Sequence, residues 1–355
     1  MMRNLIISLS AFFIICFGSC KNPHPEKYLQ IRTVVDSVGF AKYDWQMDSI
    51  IRRINYTSEN ENTWRVVVTP HDDYAYVGDL YPKILNGIKA KTIILFGVAH
   101  KARNFNLENK IIFDSYDAWS APYGNVKVSD IRDDIVFSLP DSLYTIHNEI
   151  HSVEHSLEAL IPFLQYQNRE IEIIPVLVPY MSYDKMQEIS ELIVKRLKQI
   201  MDKNGLSWGK DIALVITTDA VHYGDEDWGG KNYAPYGTDS IGTLNARNHE
   251  LEIIDSCLTG VVSEQKIRKF INYTVQENDY REYKWTWCGR YSVPFGLLTA
   301  YKLDAVTEKK GLLGTFIAYS TSIDNPALNV EDFNMGTTAP ANNHHWVGYA
   351  AVAYK

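Results

Sequence analysis

Three apolar runs, each followed closely by a histidine, constrain the fold of this chain more than any other feature. They occupy residues 66–71, 92–100 and 214–222. Runs rich in β-branched residues are typical of buried parallel strands, and Pro70 ends the first run because proline has no N–H to donate. In open α/β sheets, ligands bind at the carboxyl ends of the strands. The pattern therefore predicts that His71, His100 and His222 lie at one edge of a sheet.

The rest of the chain alternates between strand-like and helix-like patterns. A further apolar strand is predicted at residues 171–178, and helices are predicted at residues 128–139, 154–166 and 183–201. This alternation predicts an α/β fold with a mixed, mainly parallel sheet and helices on both faces. The 355 residues are 46% hydrophobic, which is ample for a large core. We expect one domain over residues 41–355.

Charge limits the classes of partner. The formal net charge is −8, whereas nucleic-acid-binding domains usually carry a basic patch. We therefore expect no nucleic-acid partner.

The first twenty residues are typical of an export signal. A short positive segment precedes an apolar stretch at residues 5–17, which is too short to span a bilayer comfortably. Small residues then precede Cys20, as in bacterial lipoproteins, although a plain secretory signal remains the alternative. Residues 21–40 are largely polar and predict a tether. The expected product is an exported lipoprotein anchored to a membrane through Cys20, facing the periplasm or the cell surface.

Beyond Cys20, the chain contains Cys257 and Cys288. Export would permit a disulfide between them. However, Cys257 falls in a predicted helix and is expected to be a buried apolar residue. Cys288 lies in a tryptophan-rich loop, and thiolate and imidazole ligands together suit zinc, copper or iron. Taken singly, such a cysteine, or a histidine at a strand end, is often an ordinary packing residue.

A second group of polar residues forms the pattern His151-x-x-Glu154-His155, which occurs in inverted zinc proteases. The alternative is a loop that enters a helix at Glu154, with His155 and Glu158 facing inward. Asp219 has two interpretations as well. It orients a metal-bound or catalytic histidine, or it caps a turn.

Five segments resemble, in their order and rough spacing, the Memo family, whose bacterial members are called AmmeMemoRadiSam system protein B. They are residues 70–74, 97–100, 154–158, 218–224 and 288–290. The resemblance extends from about residue 60 to the C-terminus and implies a fold like that of class III extradiol dioxygenases.

The resemblance also implies a site. Its metal ligands would be His71, His100 and Cys288, with His222 and His155 as candidate catalytic acid/base residues. The implied cofactor is a transition metal, iron or copper, with zinc possible. The implied activity is that of a metal-dependent, dioxygenase-like oxidoreductase acting on a small-molecule substrate, and the family suggests a radical-SAM or AMMECR-type partner.

Two other functions remain open, a non-catalytic metal- or ligand-binding module and a zinc hydrolase built on the second motif. The chain also departs from the family pattern. Asp72 and Asp73 replace two small residues beside His71, and Lys101 follows His100 where a second histidine is usual.

Overall fold

The computed structural model describes residues 29–56, 62–324 and 326–355. The expected signal at residues 1–20, with Cys20, lies outside the described residues, as does the first part of the expected tether.

The described residues form one mixed sheet of thirteen strands. In chain order these strands are β1 (Ile31–Arg32), β2 (Val66–Thr69), β3 (Thr92–Val98), β4 (Ile111–Phe113), β5 (Ala118–Trp119), β6 (Val126–Val128), β7 (Tyr144–Ile146), β8 (Glu172–Val178), β9 (Ile212–Thr217), β10 (His222–Gly224), β11 (Gly260–Val261), β12 (Leu313–Thr321) and β13 (His345–Tyr354). Their order across the sheet is β1-β5-β6-β8-β3-β9-β2-β13-β12-β11, while β10 pairs with β13, and β4 pairs with β7 and β8.

Ten α-helices accompany these strands in the described residues. They are α1 (Asp44–Arg53), α2 (Tyr74–Val77), α3 (Leu80–Leu85), α4 (Ile131–Val136), α5 (Asn148–His151), α6 (Ile161–Gln167), α7 (Tyr183–Asn204), α8 (Ser240–Ile253), α9 (Glu264–Thr274) and α10 (Ser292–Thr307). A π-helical turn at Ile254–Leu258 extends α8. Short 3-10 turns occupy Ala102–Phe105, Glu158–Leu160 and Glu331–Phe333.

The central strands are apolar on both faces because helices cover both. In β2, Val66 and Val68 belong to one hydrophobic cluster, and Val67 between them belongs to the other. The first cluster includes residues of α4, α7, α8, α9 and α10, and the second includes residues of α1, α3 and α6. Alternate side chains of a strand point to opposite faces, so both faces are buried. The predicted α/β architecture is confirmed.

The order of the central strands determines the position of the site. Strands β3, β9 and β2 are neighbours and run parallel, with Val68 opposite Ile216 and Leu95 opposite Val215. Their carboxyl ends therefore meet at one edge. His71 and His100 each lie two residues beyond a strand, and His222 lies just beyond β9, where it opens β10.

Two predicted helices are wrong at their starts. The helix expected from residue 154 begins at Ile161, because the Glu154 carboxylate accepts the backbone N–H groups of His155 and Ser156 and so holds this segment in a loop. The helix expected from residue 128 begins at Ile131. Before it, residues 126–128 form β6 and pair with β8.

The second half of the expected tether packs against the domain. Residues 31–32 form β1, which pairs in parallel with β5, and the Arg32 and Phe40 side chains are both buried. We call residues 29–40 the N-terminal strap.

Cys257 and Cys288 are both buried and free, so no disulfide joins them. This agrees with the expectation that Cys257 is a buried apolar residue. Among the described helices, none has both the length and the apolar content needed to cross a membrane.

Candidate metal centre

His71 lies at the centre of the site and is fully buried. Its backbone N–H donates to Asp219 Oδ1 at 3.0 Å, which fixes the turn after β2 to the end of β9. Its Nε2 atom lies 3.5 Å from Cys288 Sγ and 3.5 Å from Asp219 Oδ2. An imidazole nitrogen, a thiol and a carboxylate therefore converge on one point.

Cys288 reaches this point because its segment packs tightly against β9. The Asp219 backbone N–H donates to Cys288 Sγ at 3.0 Å, and the Gly289 N–H donates to the Thr218 hydroxyl at 3.0 Å. A Cβ atom on Gly289 would lie only 2.3 Å from Thr218 Cβ. Glycine at this position is thus a requirement of the close approach.

Glu154 orients His100. Its carboxylate lies 2.8 Å from His100 Nδ1 and accepts the His100 backbone N–H at 2.7 Å. An imidazole whose Nδ1 donates to a carboxylate presents a basic Nε2 to a metal. His71, His100 and Cys288 each offer a ligand atom, and these atoms lie within 4.8 Å of one another.

Burial strongly affects the protonation of these donors. It lowers the pKa of His71 well below the usual histidine value, and the neighbouring histidines lower it further. It raises the pKa of the Cys288 thiol, assisted by the nearby Asp219 carboxyl. Burial also raises the pKa of Asp219 to about 7. His71 is thus a neutral imidazole at neutral pH, the form that binds metals.

The donor set fits a transition-metal ion. His222 Nε2, which lies near Asp219 and Cys288, is buried without a hydrogen-bond partner in the described part of the chain, and such an orphaned polar atom is costly. A nearby cation would also favour the thiolate form of Cys288, which burial opposes. Two imidazoles and one thiolate suit zinc, copper or iron.

His222 shares the site. Its Nε2 lies 3.9 Å from Asp219 Oδ2, and together with Asp219 and Cys288 it forms a second group of possible ligands. The ring also contacts Trp228, with 5.2 Å between centroids. Burial lowers the pKa of His222 to about 3. It is therefore a neutral base beside the three predicted ligands.

His155 stacks on His100, with ring centroids 4.9 Å apart and planes 9° apart. Its side chain is 40% exposed. Partial burial and the neighbouring His100 lower its pKa below the usual histidine range. His155 therefore lies at the mouth of the site, beside the ring of a predicted ligand.

His151 does not take part in the site. Its Nε2 lies 3.2 Å from the Ile112 carbonyl oxygen, its ring packs against Trp119, and it belongs to none of the possible ligand groups in the described residues. Helix α5 ends at His151, so Glu154 and His155 are not on one helix with it. The helical geometry that the zinc hydrolase would need is absent from this segment.

The two carboxylates that follow His71 bind other segments of the chain. Asp72 accepts the Tyr349 hydroxyl at 2.6 Å. Asp73 accepts the Thr338 backbone N–H at 2.5 Å and also its hydroxyl. Both side chains thus bind C-terminal segments of the chain.

The strap supports the site from outside. Arg32 donates to Glu158 at 2.6 Å and to the backbone carbonyl oxygens of His151 and Glu154. Phe40 packs near His155, with ring centroids 6.4 Å apart. Sequence reasoning missed this contribution, because the polar composition of the strap predicted only a tether.

Sequence reasoning also missed two features of the centre itself. The protease pattern makes Glu154 a base, whereas its carboxylate holds His100. Asp219 caps the turn at His71 through its Oδ1, and its Oδ2 lies 3.5 Å from His71 Nε2, while its role in orienting a metal-bound histidine stays a prediction. An acidic residue next to a candidate histidine was the available signal in each case.

These features define a class, an α/β protein with a His/His/Cys cluster at the carboxyl edge of a mixed sheet, in which His71 and Cys288 are buried and His100 is partly exposed. Comparison of the sequence with known families identifies the particular group. The pattern of Memo-like proteins matches residues 41–331, and the chain belongs to this family. The strap precedes the matched region.

Individual relatives agree. A MEMO1 family protein of Aquifex aeolicus is 26% identical over 266 residues, which cover 73% of this chain and 79% of the relative. One from Archaeoglobus fulgidus is 27% identical over 177 residues, covering 49% of this chain and 61% of the relative. Another, from Methanosarcina barkeri, is 27% identical over 158 residues, which cover 44% of this chain and 54% of the relative.

Proposed function

We propose that this protein is a metal-dependent oxidoreductase of the dioxygenase-like kind, which holds iron or copper through His71, His100 and Cys288 and acts on a small molecule. The observation that carries the proposal is the convergence of these three ligand atoms within 4.8 Å of one another. When bound, such an ion supplies redox chemistry and Lewis acidity.

The chain's own residues have separate roles in this proposal. Glu154 fixes the ring of His100, and Asp219 holds the turn that carries His71. His222 is neutral, and its Nε2 has no hydrogen-bond partner among the described residues. This free nitrogen places His222 to accept a hydrogen bond from a substrate hydroxyl at the centre.

Two stacked aromatic rings border His222, whose side chain is 26% exposed. The rings of Trp228 and His345 stack with centroids 3.7 Å apart, and Trp228 also contacts His222. The contact with Trp228 helps to position the His222 ring beside the proposed ligands.

The experiment is metal analysis of the protein purified without oxygen, together with single variants. We expect Cys288→Ser and His71→Ala to lose most of their metal, because a hydroxyl is a poor ligand for these ions and alanine is none. We expect His222→Ala to keep its metal and to lose turnover with oxygen and catechols.

Two matched controls accompany these variants. Cys257→Ser changes the other buried thiol, and His151→Ala changes a buried histidine outside the ligand cluster. Both should keep the wild-type metal content. Full metal occupancy in Cys288→Ser would refute the ligand assignment, and loss of metal in His222→Ala would make His222 a ligand.

We also propose that Cys20 carries a lipid anchor, as the sequence at residues 18–20 suggests. The test is cell fractionation of the full chain and of Cys20→Ala. The variant should leave the membrane fraction, and equal membrane association of the two proteins would contradict the proposal.

A further inference from the structure

Arg290 is a buried cation without a carboxylate partner. Two described arginines are buried, Arg32 and Arg290, each at most 3% exposed. Arg32 pairs with Glu158 at 2.6 Å. No carboxylate among the described residues pairs with Arg290, although a buried charge is costly unless it is paired.

Neutral groups hold the Arg290 guanidinium in place. Its Nε donates to the Tyr291 hydroxyl at 3.0 Å, and one Nη2 hydrogen is donated to the Arg281 carbonyl oxygen at 3.1 Å. The guanidinium also stacks over the Tyr283 ring, 3.5 Å from its centroid. These contacts orient the guanidinium group, but none of the contacting groups carries a negative charge at neutral pH.

A small cavity lies beside this cation. Its volume is about 60 Å³, and its lining includes Arg290, His100, Cys288, Tyr180 and Tyr283. That volume corresponds to roughly two water molecules at about 30 Å³ each. Because His100 and Cys288 are proposed metal ligands, an anion held by Arg290 would lie next to the metal centre.

We propose that Arg290 binds the carboxylate group of the substrate, so that the protein acts on small organic acids. A planar guanidinium matches a planar carboxylate through two parallel hydrogen bonds. A cavity of this size accepts a carboxylate group but not a whole organic acid, so the remainder of the substrate would extend beyond it. This inference deepens the proposed function and rests on it for the reaction, but the binding step itself requires no metal.

The test uses isothermal titration calorimetry with benzoate and with its neutral counterpart benzamide, on chelator-treated and on metal-loaded protein. We expect benzoate to bind chelator-treated wild type at least tenfold more tightly than benzamide does. Arg290→Gln should lose that preference. Arg290→Lys should keep only part of the preference, because lysine retains the charge but lacks the paired N–H donors of the guanidinium.

The matched control is Arg281→Gln, which changes a nearby exposed arginine whose partner is Glu108 and leaves the carbonyl oxygen that accepts from Arg290. It should keep the wild-type preference. If Arg290→Gln fails to fold, the test rests on Arg290→Lys, whose preference for benzoate should be smaller than that of wild type. Equal binding of benzoate and benzamide by wild type, or an unchanged preference in a folded Arg290 variant, would overturn the proposal.

Metal content measured on the same samples separates the two proposals. Carboxylate preference without metal binding refutes the metal centre and supports the subsite. Metal binding without carboxylate preference overturns the subsite and leaves the proposed function standing. If benzoate instead binds the metal directly, metal-loaded Arg290→Gln should bind it as tightly as metal-loaded wild type does. That result, together with equal binding of benzoate and benzamide by chelator-treated wild type, would overturn the subsite.

Discussion

Replacing Arg32 with methionine should destabilise the protein strongly, although Arg32 lies before the region shared with the family. The side chains of Arg32 and Glu158 are 1% and 6% exposed, and they pair at 2.6 Å. Methionine keeps much of the apolar volume over Trp119, where the guanidinium now stacks, but leaves the Glu158 charge buried without its cation. Removing one partner of a buried ion pair costs about 3–5 kcal/mol.

Arg196→Met is the matched control. Arg196 pairs with Asp134 at the same distance of 2.6 Å, but these side chains are 32% and 51% exposed. An exposed pair contributes only about 0–1 kcal/mol. The assay is urea denaturation of both variants against wild type at neutral pH. A total stability on the order of 5–15 kcal/mol makes the difference between the variants easy to measure.

The double variant Arg32→Met/Glu158→Leu separates charge from packing. Replacing both partners of a buried pair by apolar residues is often close to neutral, so the double variant should recover most of the loss. If Arg32→Met and Arg196→Met lower the free energy of unfolding equally, within about 1 kcal/mol, the argument from burial is refuted.

Three further predictions concern the site and its support. Glu154→Gln should weaken metal binding about 10–100-fold, because it loosens the ring of His100. A cobalt(II) titration measures the affinity, and an unchanged affinity would contradict the role of Glu154 in orienting His100. Burial raises the pKa of Glu250 from its ordinary 4.5 to about 7, so its contribution to stability is present below about pH 4.5 and is lost as the pH rises through about 7. Wild type should therefore lose about 2–3 kcal/mol more than Glu250→Gln between pH 5 and 8 in urea denaturation, and parallel pH profiles would disprove the assignment. Gly289→Ala should cost about 1–3 kcal/mol in the same assay, because its Cβ would overlap Thr218; wild-type stability would show that the segment moves freely.

The fold and one edge of the site were predictable from the sequence, because both follow from local patterns. Apolar runs of strand length determine β2, β3 and β9, and Pro70 marks where the first ends. Parallel neighbours bring their carboxyl ends together, so the shared edge of His71 and His100 follows from the strands alone. Thiolate chemistry alone makes Cys288 a candidate ligand, but its place beside His71 and His100 follows from resemblance to a family.

Tertiary structure decided which polar groups meet. His71 and Cys288 are 217 residues apart in the chain, and Arg32 and Glu158 are 126 apart. No local pattern specifies such pairs, because the contact depends on how separate segments pack over the sheet. The predicted helix at Glu154 failed for the same reason. Its carboxylate is drawn to His100, 54 residues away, and to two adjacent backbone N–H groups, so the chain forms a loop where local propensity alone predicted a helix.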